Sequence, residues 1–343
     1  IMTDVQQKAA LSPAARYLIL SACFIIIVAG IRSAEPIIVP FLLSAFIAVI
    51  CTSPLFWLKK KGVPASIAVL IVLLGIGFIG LIMMALVGTS LNDFSNELPI
   101  YQTRLQEEMT SLFSWLNGMG INISGEKLIA YIDPGKAMRL FASTLNSFSS
   151  VLTNGFLIVL TVIFMLLEIS GFPDKLRDAM GTTPSSSAGL TEITVGIKHY
   201  MMIKTLTSLA TGTLIAIWLA IIGVDFPVLW GVVAFALNFV PNIGSIIAAI
   251  PAILLALIQL GIFPALHAAI AFLVVNLVIG NAIEPRIMGK GVGLSTLVVF
   301  LSLVFWGWVL GPIGMLLSVP LTMIVKIGLE RNEGTRKIAV LLS

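Results

Sequence analysis

Long apolar runs dominate the sequence, and they restrict the chain to folds that cross a lipid bilayer. Six runs have the length of an α-helix that spans a bilayer, which is about 17–25 residues; they are residues 14–31, 36–53, 63–87, 151–167, 205–223 and 264–283. Apolar side chains make up 58% of the 343 residues and charged ones only 10%, which excludes an ordinary soluble enzyme and a disordered chain. The sequence predicts an all-α polytopic membrane protein with six full transmembrane helices.

Two further apolar stretches, residues 228–260 and 296–327, are longer than one crossing and are broken in the middle. Pro241 and Gly244 lie in the first break; Gly311, Pro312 and Gly314 lie in the second. Because proline disrupts a helix, each stretch becomes two arms that are too short to cross alone. We expect two re-entrant helical hairpins, giving about eight helices by the conventional count. Two kinked helices or four ordinary ones are the alternatives.

The distribution of Lys and Arg predicts the orientation. With the N-terminus inside and six crossings, fifteen of the 20 basic residues lie inside, as expected for cytoplasmic loops. Both termini are then cytoplasmic. The first hairpin enters the membrane from outside and the second from inside, so the two are oppositely oriented.

The predicted spans divide the chain into three parts. Residues 1–91 hold the first three helices, 92–150 form a polar segment outside the membrane, and 151–343 form a core with both hairpins. In the polar segment, apolar residues recur at helical spacing at Tyr101, Leu105, Met109, Leu112 and Leu116, and Asp133-Pro134 marks a second helix start. We favour a small helical cap over a ligand-binding domain.

Polar side chains within apolar runs are costly in hydrocarbon and therefore indicate positions that face inward. We predict that five of them line a substrate pathway: Asn238, Asn242, Ser245, Asn276 and Asn281. The predicted hairpin tips are Pro241, Gly244, Gly311, Pro312 and Gly314, where ends of half-helices expose backbone groups to a solute. Glu168, Glu284 and Arg286 close helices and are interfacial anchors or coupling charges.

The sequence carries no catalytic constellation and no metal-ligand spacing, so we expect neither an enzyme nor a metal or other cofactor. Gly75, Gly77 and Gly80 match a dinucleotide-binding pattern, but they lie within a membrane span without a preceding strand. No phosphate-binding loop indicates ATP. Basic residues flank apolar runs rather than forming one patch, so no nucleic-acid partner is expected.

Several motifs resemble the bacterial autoinducer-2 exporter family. They include Phe239-Val-Pro-Asn-Ile-Gly-Ser245, Asn281-Ala-Ile-Glu-Pro-Arg-Ile-Met-Gly289 and Trp306-Gly-Trp-Val-Leu-Gly-Pro-Ile-Gly314, and the similarity covers most of the chain. The resemblance implies an inner-membrane protein that exports a small polar signalling molecule. It also implies a homo-oligomer, with a pentamer suggested by the family.

These observations together predict a gradient-driven exporter of autoinducer-2 that works by alternating access around the two hairpins. Asn and Ser side chains suit an uncharged, polyhydroxylated solute because they offer donors and acceptors without a buried charge. Two alternatives remain. A monovalent cation/proton antiporter would need a titratable group such as Glu168 or Glu284. A non-transporting oligomeric membrane scaffold would use the hairpins only for packing.

Overall fold

A computed structural model describes residues 12–118, 155–168, 184–241, 243–288, 293–330 and 334–342 of the protein, and every regular element in these ranges is a helix. In chain order they are α1 (Pro13–Ser33), α2 (Glu35–Lys60), α3 (Ala65–Gly118), α4 (Gly155–Glu168), α5 (Pro184–Ile222), α6 (Pro227–Leu237), α7 (Gly244–Leu260), α8 (Ile262–Val275), a π-helical segment (Asn276–Ile283), α9 (Glu284–Met288), α10 (Thr296–Glu330) and α11 (Arg336–Leu341).

Helix ends follow local sequence signals. The backbone N–H of Ala15 donates to the Ser12 hydroxyl at 3.2 Å, which caps α1, and Pro13 stands in the first turn, where no N–H is needed. At the C-terminal end of α2, Lys59 and Lys60 lie in the last turn, where their positive charges interact favourably with the helix dipole. These signals explain where α1 begins and where α2 ends.

Five helices in the described ranges are long and apolar enough to cross a membrane: Glu35–Lys60, Ala65–Phe94, Gly196–Ile222, Ile262–Met288 and Thr296–Glu330. Two predicted crossings have shorter described apolar parts, Leu18–Ser33 and Gly155–Glu168. The fifth long helix is α10, one of the stretches predicted to be broken. The all-helical, multi-pass membrane fold is therefore confirmed, while the arrangement of six crossings and two re-entrant segments stays a prediction.

The first predicted break separates α6 from α7, and the two helices form a helical hairpin. The backbone N–H of Asp225 donates to the Gln259 side-chain oxygen at 3.1 Å, so the start of α6 and the end of α7 lie together. At the tip, a Cβ on Gly244 would lie 1.8 Å from the Leu237 carbonyl oxygen. Only glycine permits such an approach, which brings the two arms into backbone contact.

The second predicted break lies within α10, where Leu310 and Gly311 leave the helical conformation and Gly311 has a φ of +63°. Across this break the Trp306 indole N–H donates to the Thr322 hydroxyl at 3.1 Å. Further from the tip, the Lys326 ammonium donates to the carbonyl oxygen of Gly293, just before α10. The stretch therefore also folds back on itself as a helical hairpin.

Helix α2 provides a reference direction for both hairpins. Helix α5 runs antiparallel to α2, since Ser53 contacts the Met202 sulfur at 3.5 Å while Lys198 lies 5.2 Å from the centre of the Phe56 ring. Helix α6 in turn runs antiparallel to α5, because Gly231 lies against Gly212 near its start and Asn238 bonds to Ser208 at its end. The first hairpin therefore points in the direction of α2.

The second hairpin points the other way. Its tip residue Gly311 lies beside Glu35, at the start of α2, whereas Met323 in its second arm shares a core cluster with Ile50. The first tip meets α2 further along, where the rings of Phe239 and Phe46 are 5.4 Å apart. These contacts agree with the predicted opposite orientation of the two hairpins.

The second tip lies beside the turn between α1 and α2, where the Arg32 guanidinium stacks 4.6 Å from the Trp308 ring centre. On the predicted topology this turn faces outside, so the tip lies nearer to the outer side than the mid-membrane position expected from the sequence. The reason is the length of the first arm. Residues 296–310 extend about 22 Å as a helix, which is most of the thickness of a bilayer core.

Helix α3 is one continuous element of 54 residues. The sequence predicted a crossing over residues 63–87 and a separate amphipathic helix beyond residue 92, but the structure has no break there. In the predicted apolar stripe, Tyr101 is buried and only 3% exposed. The structure does not describe the side chains at the other four positions of the stripe. The predicted helix start at Asp133-Pro134 lies outside the described residues.

Candidate functional site

A line of buried polar side chains runs along one face of α5. Its members are each at most 6% exposed and follow helical spacing: Lys204, Thr207, Ser208 and Thr211. They lie in a helix that is long and apolar enough to cross a membrane, where polar groups are costly unless they are paired. We call these four residues the α5 polar line. Each of its first three members bonds to another part of the chain or to its own helix.

The charged member of the line forms an ion pair. The Lys204 ammonium lies 2.8 Å and 3.0 Å from the two carboxylate oxygens of Glu284. The Thr207 hydroxyl lies 3.3 Å from the second of these oxygens and 3.1 Å from the Lys204 carbonyl oxygen. The two charged side chains are only 8% and 15% exposed. Because each charge is removed from water, each depends on the other for stabilisation.

An irregular helix brings Glu284 to this position. The eight residues before it form a π-helical segment, whose wider turns change the direction in which later residues face. Within the segment, the Asn276 carboxamide oxygen lies 3.1 Å from where a Cβ on Gly280 would stand. Glycine at this position therefore leaves room for the Asn276 side chain against its own helix.

The tip of the first hairpin contacts the α5 polar line. The Asn238 carboxamide nitrogen donates to the Ser208 hydroxyl at 3.0 Å, and both residues are buried. Ser208 lies one helical turn from Lys204, so the hairpin tip and the ion pair occupy consecutive turns of α5. The structure thus brings two predicted residues, Asn238 and Glu284, to one helix face.

The other predicted site residues are placed separately. Ser245 is half-buried in the first turn of α7, Asn276 is half-buried, and Asn281 is exposed. Asn242 lies outside the described residues. Of the remaining positions, Pro241 is half-buried and the exposed ones are Pro312, Glu168 and Arg286. A role of these residues in lining a pathway stays a prediction.

The two hairpins meet in one apolar cluster, which also contains residues of α2 and α5. We call it the central cluster; its buried members are Phe46, Tyr200, Met201, Phe239, Ile313, Leu317, Val319 and Met323. Ser318 lies between two of these residues in the chain and is 1% exposed. Among the described residues, the Ser318 hydroxyl oxygen is the only buried side-chain polar atom that has no hydrogen-bond partner. The cluster therefore joins the first tip to the second arm of the other hairpin.

A second polar group connects α3 to the base of the first hairpin. The Tyr101 hydroxyl contacts a carboxylate oxygen of Glu97 and lies 3.1 Å from one of Asp225. The Gln259 amide nitrogen lies 3.2 Å from the same hydroxyl and contacts the same Asp225 oxygen. We call Glu97, Tyr101, Asp225 and Gln259 the Tyr101 network. It lies beyond residue 94, where the apolar part of α3 ends.

Burial raises the pKa of the Tyr101 phenol well above its usual range, and the hydrogen bond to Glu97 and the charge of Asp225 raise the pKa further. The phenol therefore keeps its proton and acts as a donor. The ring packs near Phe94, whose own ring meets Trp230 of α6 edge-on at 5.8 Å. Aromatic packing and polar contacts together attach α3 to the first hairpin.

The predicted site residues include no member of the α5 polar line and none of the Tyr101 network. The α5 polar line has a detectable signal, because residues 204, 207, 208 and 211 share one helix face within an apolar run. The Tyr101 network has no such signal, because its members come from three distant segments. The spacing of Tyr101 predicts only a position on the apolar side of a helix.

Comparisons with known proteins agree on one family. A sequence model of AI-2E family transporters matches residues 20–333. The AI-2 transport protein TqsA of Escherichia coli K12 is 44% identical over 328 residues, covering 96% of this chain and 95% of TqsA. A Haemophilus influenzae protein named as a candidate transport protein is 40% identical over 327 residues, covering 94% of each chain. YhhT of Escherichia coli K12, also named as a candidate transport protein, is 38% identical over 323 residues, covering 94% and 92%.

Proposed function

The chain belongs to the AI-2E family of transporters, and from this membership we propose that it exports autoinducer-2 across the bacterial inner membrane, driven by the gradient of the solute. Family membership supports transport, and the name of the relative TqsA, an AI-2 transport protein, supports the substrate. We take the termini to be cytoplasmic, as the distribution of basic residues predicts.

The observation that carries the proposed pathway is the contact between the α5 polar line and the first hairpin tip. Asn238 and Ser208 offer amide and hydroxyl groups inside an otherwise apolar bundle. Such groups can exchange their mutual hydrogen bond for bonds to a hydroxylated, uncharged solute without leaving a buried charge. The predicted lining residues Asn242, Ser245, Asn276 and Asn281 extend this pathway in the proposal.

We propose alternating access as the mechanism. The central cluster joins the two opposed hairpins, so a shift of one hairpin along α2 changes its contacts with the other. In this scheme, movement at the tips exposes the pathway first to one side and then to the other. The half-helix ends supply backbone donors and acceptors for the solute.

A flux assay tests the proposal. Purified protein is reconstituted into vesicles loaded with autoinducer-2, and efflux is followed over time. Asn238→Ala should reduce efflux at least tenfold, the effect of losing about one good hydrogen bond in a transition state. Asn96→Ala, an exposed position on α3, is the matched control and should leave efflux unchanged. Unchanged efflux in alanine variants at all five predicted lining positions would contradict the pathway.

The buried ion pair supports a second candidate, monovalent cation/proton antiport. Glu284 is the titratable group that such a mechanism requires, and it is largely shielded from water. The same vesicles, tested with sodium and a pH gradient, distinguish the two functions. Sodium flux that depends on pH and disappears in Glu284→Gln would favour antiport. Absence of flux for every solute would favour the scaffold alternative.

We also propose that the chain works as a homo-oligomer, as the family resemblance suggests. Native mass spectrometry of the protein extracted in mild detergent measures the subunit number directly. A monomer that retains full flux would contradict this part of the proposal.

A further inference from the structure

One face of the second arm of α10 lies against the first arm, and we call this contact the seam of the second hairpin. Gly314 lies against the Trp306 carbonyl oxygen, and the Thr322 hydroxyl accepts a hydrogen bond from the Trp306 indole at 3.1 Å. Ser318 lies one helical turn from each of these two contacts and shares the same face of the arm. Its side chain therefore faces the seam, beside Trp306.

The Ser318 hydroxyl has no hydrogen-bond partner, although it is buried. A buried hydroxyl in an apolar helix can bond to the carbonyl oxygen three or four residues earlier, and Ser44, Thr52 and Ser302 do so at 2.7 or 2.8 Å. Ser318 is only 1% exposed, and its hydroxyl bonds neither to its own helix nor to any other described residue. Such a group costs free energy in the folded protein, because it has lost its bonds to water.

The neighbouring polar groups of the seam are already bonded elsewhere. On the first arm, Ser302 lies one turn before Trp306, is 7% exposed and donates to a carbonyl oxygen of its own helix. At the base of the hairpin, the Lys326 ammonium donates to the Gly293 carbonyl oxygen and lies 3.6 Å from the Glu330 carboxylate. The seam is therefore a row of buried polar groups that is closed at its base and has one unfilled hydrogen-bonding position in its middle.

We propose that the seam is a binding site for an uncharged, hydroxylated solute and that Ser318 is its central contact. The inference rests on the proposed export function and adds the second hairpin to the pathway that begins at the first tip. A hydroxyl or carbonyl group of the solute between the arms gives the Ser318 hydroxyl the partner that it lacks.

The surroundings of the seam fit a solute of this kind. Residues 291–325 contain no charged side chain, so neither arm offers a charge to neutralise an ion. Leu317 and Val319, on either side of Ser318 in the chain, belong to the central cluster together with Phe239 of the first tip. The seam therefore lies at the level of the first hairpin tip, where Asn238 offers its amide.

The variant Ser318→Ala tests the site through two effects of opposite sign. Without solute, the variant loses an unpartnered group, so the midpoint of thermal unfolding in detergent should rise. Efflux of autoinducer-2 from vesicles should nevertheless fall about fivefold, the effect of one lost hydrogen bond to the solute. A hydroxyl that only supports the fold gives the opposite sign of the first effect, a lower midpoint.

The matched control is Ser44→Ala, because Ser44 is 0% exposed and its hydroxyl lies near the carbonyl oxygens of Pro40 and Ile158. The midpoint of Ser318→Ala should exceed that of this control by about 2–4 °C, which separates the missing partner from the helix propensity of alanine. Efflux of the control should equal that of the wild type.

Two kinds of result separate this inference from the proposed function. If the wild type exports autoinducer-2 and Ser318→Ala exports it equally well, or if the midpoint of Ser318→Ala is no higher than that of Ser44→Ala, the inference alone is overturned. If the wild type shows no efflux of autoinducer-2, the proposed function fails, and the inference fails with it.

Discussion

At the scale of single residues, the buried pair of Lys204 and Glu284 has a large effect on stability when it is broken. Both side chains lie among apolar helices, and each neutralises the other at 2.8 Å. A buried pair adds little net stability, because desolvation offsets the attraction, but removing one partner leaves an uncompensated charge. Replacing one partner should therefore destabilise the protein strongly, whereas replacing both partners together should change the stability little.

This asymmetry gives a prediction. Lys204→Met should lower the free energy of unfolding by about 3–5 kcal/mol, because Glu284 is left buried and unpaired. The double variant Lys204→Met/Glu284→Gln should recover most of the loss. Thermal unfolding of the purified protein in detergent, followed by intrinsic fluorescence, measures both effects.

The control for this experiment is Lys60→Met, which removes an exposed lysine at the end of α2 and should change the midpoint little. If Lys204→Met unfolds at the same temperature as Lys60→Met, the ion pair does not form in the folded protein.

At the scale of elements, the two hairpin tips share one structural device. A glycine follows each break, and a Cβ would lie 1.8 Å from the Leu237 oxygen at Gly244 and 2.0 Å from the Trp306 oxygen at Gly314. Backbone atoms cannot move aside as a flexible side chain can. The tightness of both tips therefore depends on the absence of a single methyl group.

Alanine at either tip should prevent the close approach of the arms. We expect Gly244→Ala and Gly314→Ala each to destabilise the fold by about 3 kcal/mol or more. Gly75→Ala in α3 is the matched control, because its Cβ would meet no atom within 4 Å, and it should be neutral. Fluorescence-detected gel filtration of the solubilised variants measures the folded fraction. Equal fractions for all three would show that the arms are not in contact.

The positions of the breaks could be predicted from the sequence, because proline and glycine act on their own neighbours. Pro241, Gly311 and Pro312 mark both tips without reference to the rest of the chain. The bond between Asn238 and Ser208 could not be predicted, since it depends on how α6 packs along α5. That packing is set by the contact of Gly212 with Gly231, and neither glycine differs by itself from the others in the sequence.

At the scale of the whole molecule, the contacts along α2 indicate the directions of the two hairpins relative to each other. The side of the membrane from which each hairpin enters is predicted from the distribution of Lys and Arg. The predicted topology places the end of α2 inside and the start of α8 outside. An impermeant maleimide should therefore modify Ile262→Cys in intact cells, or in spheroplasts, but not Lys60→Cys. Both positions are exposed. Labelling of Lys60→Cys from outside would contradict the predicted topology and would show that both hairpins have the reverse orientation in the membrane.

The sequence also predicted the whole-molecule fold only in part, and α3 shows why. A drop in hydropathy after residue 91 marks where the membrane ends, but it does not mark the end of a helix. Polar residues such as Asn92, Asp93 and Glu97 are compatible with an exposed helix, so the backbone continues through them. The residue at which the chain leaves the membrane and the residue at which the helix ends are therefore set by different features of the sequence.

The continuity of α3 has a mechanical consequence. The 24 residues beyond Phe94 extend roughly 36 Å and continue the part that lies among the membrane helices, with Pro99 inside them as the point where the helix bends most easily. A tilt of about 10° in the lower part would displace the far end by roughly 6 Å, a distance close to one helical turn. We therefore expect the far end of α3 to move farther than its apolar part when that part tilts, except for the motion that bending at Pro99 absorbs.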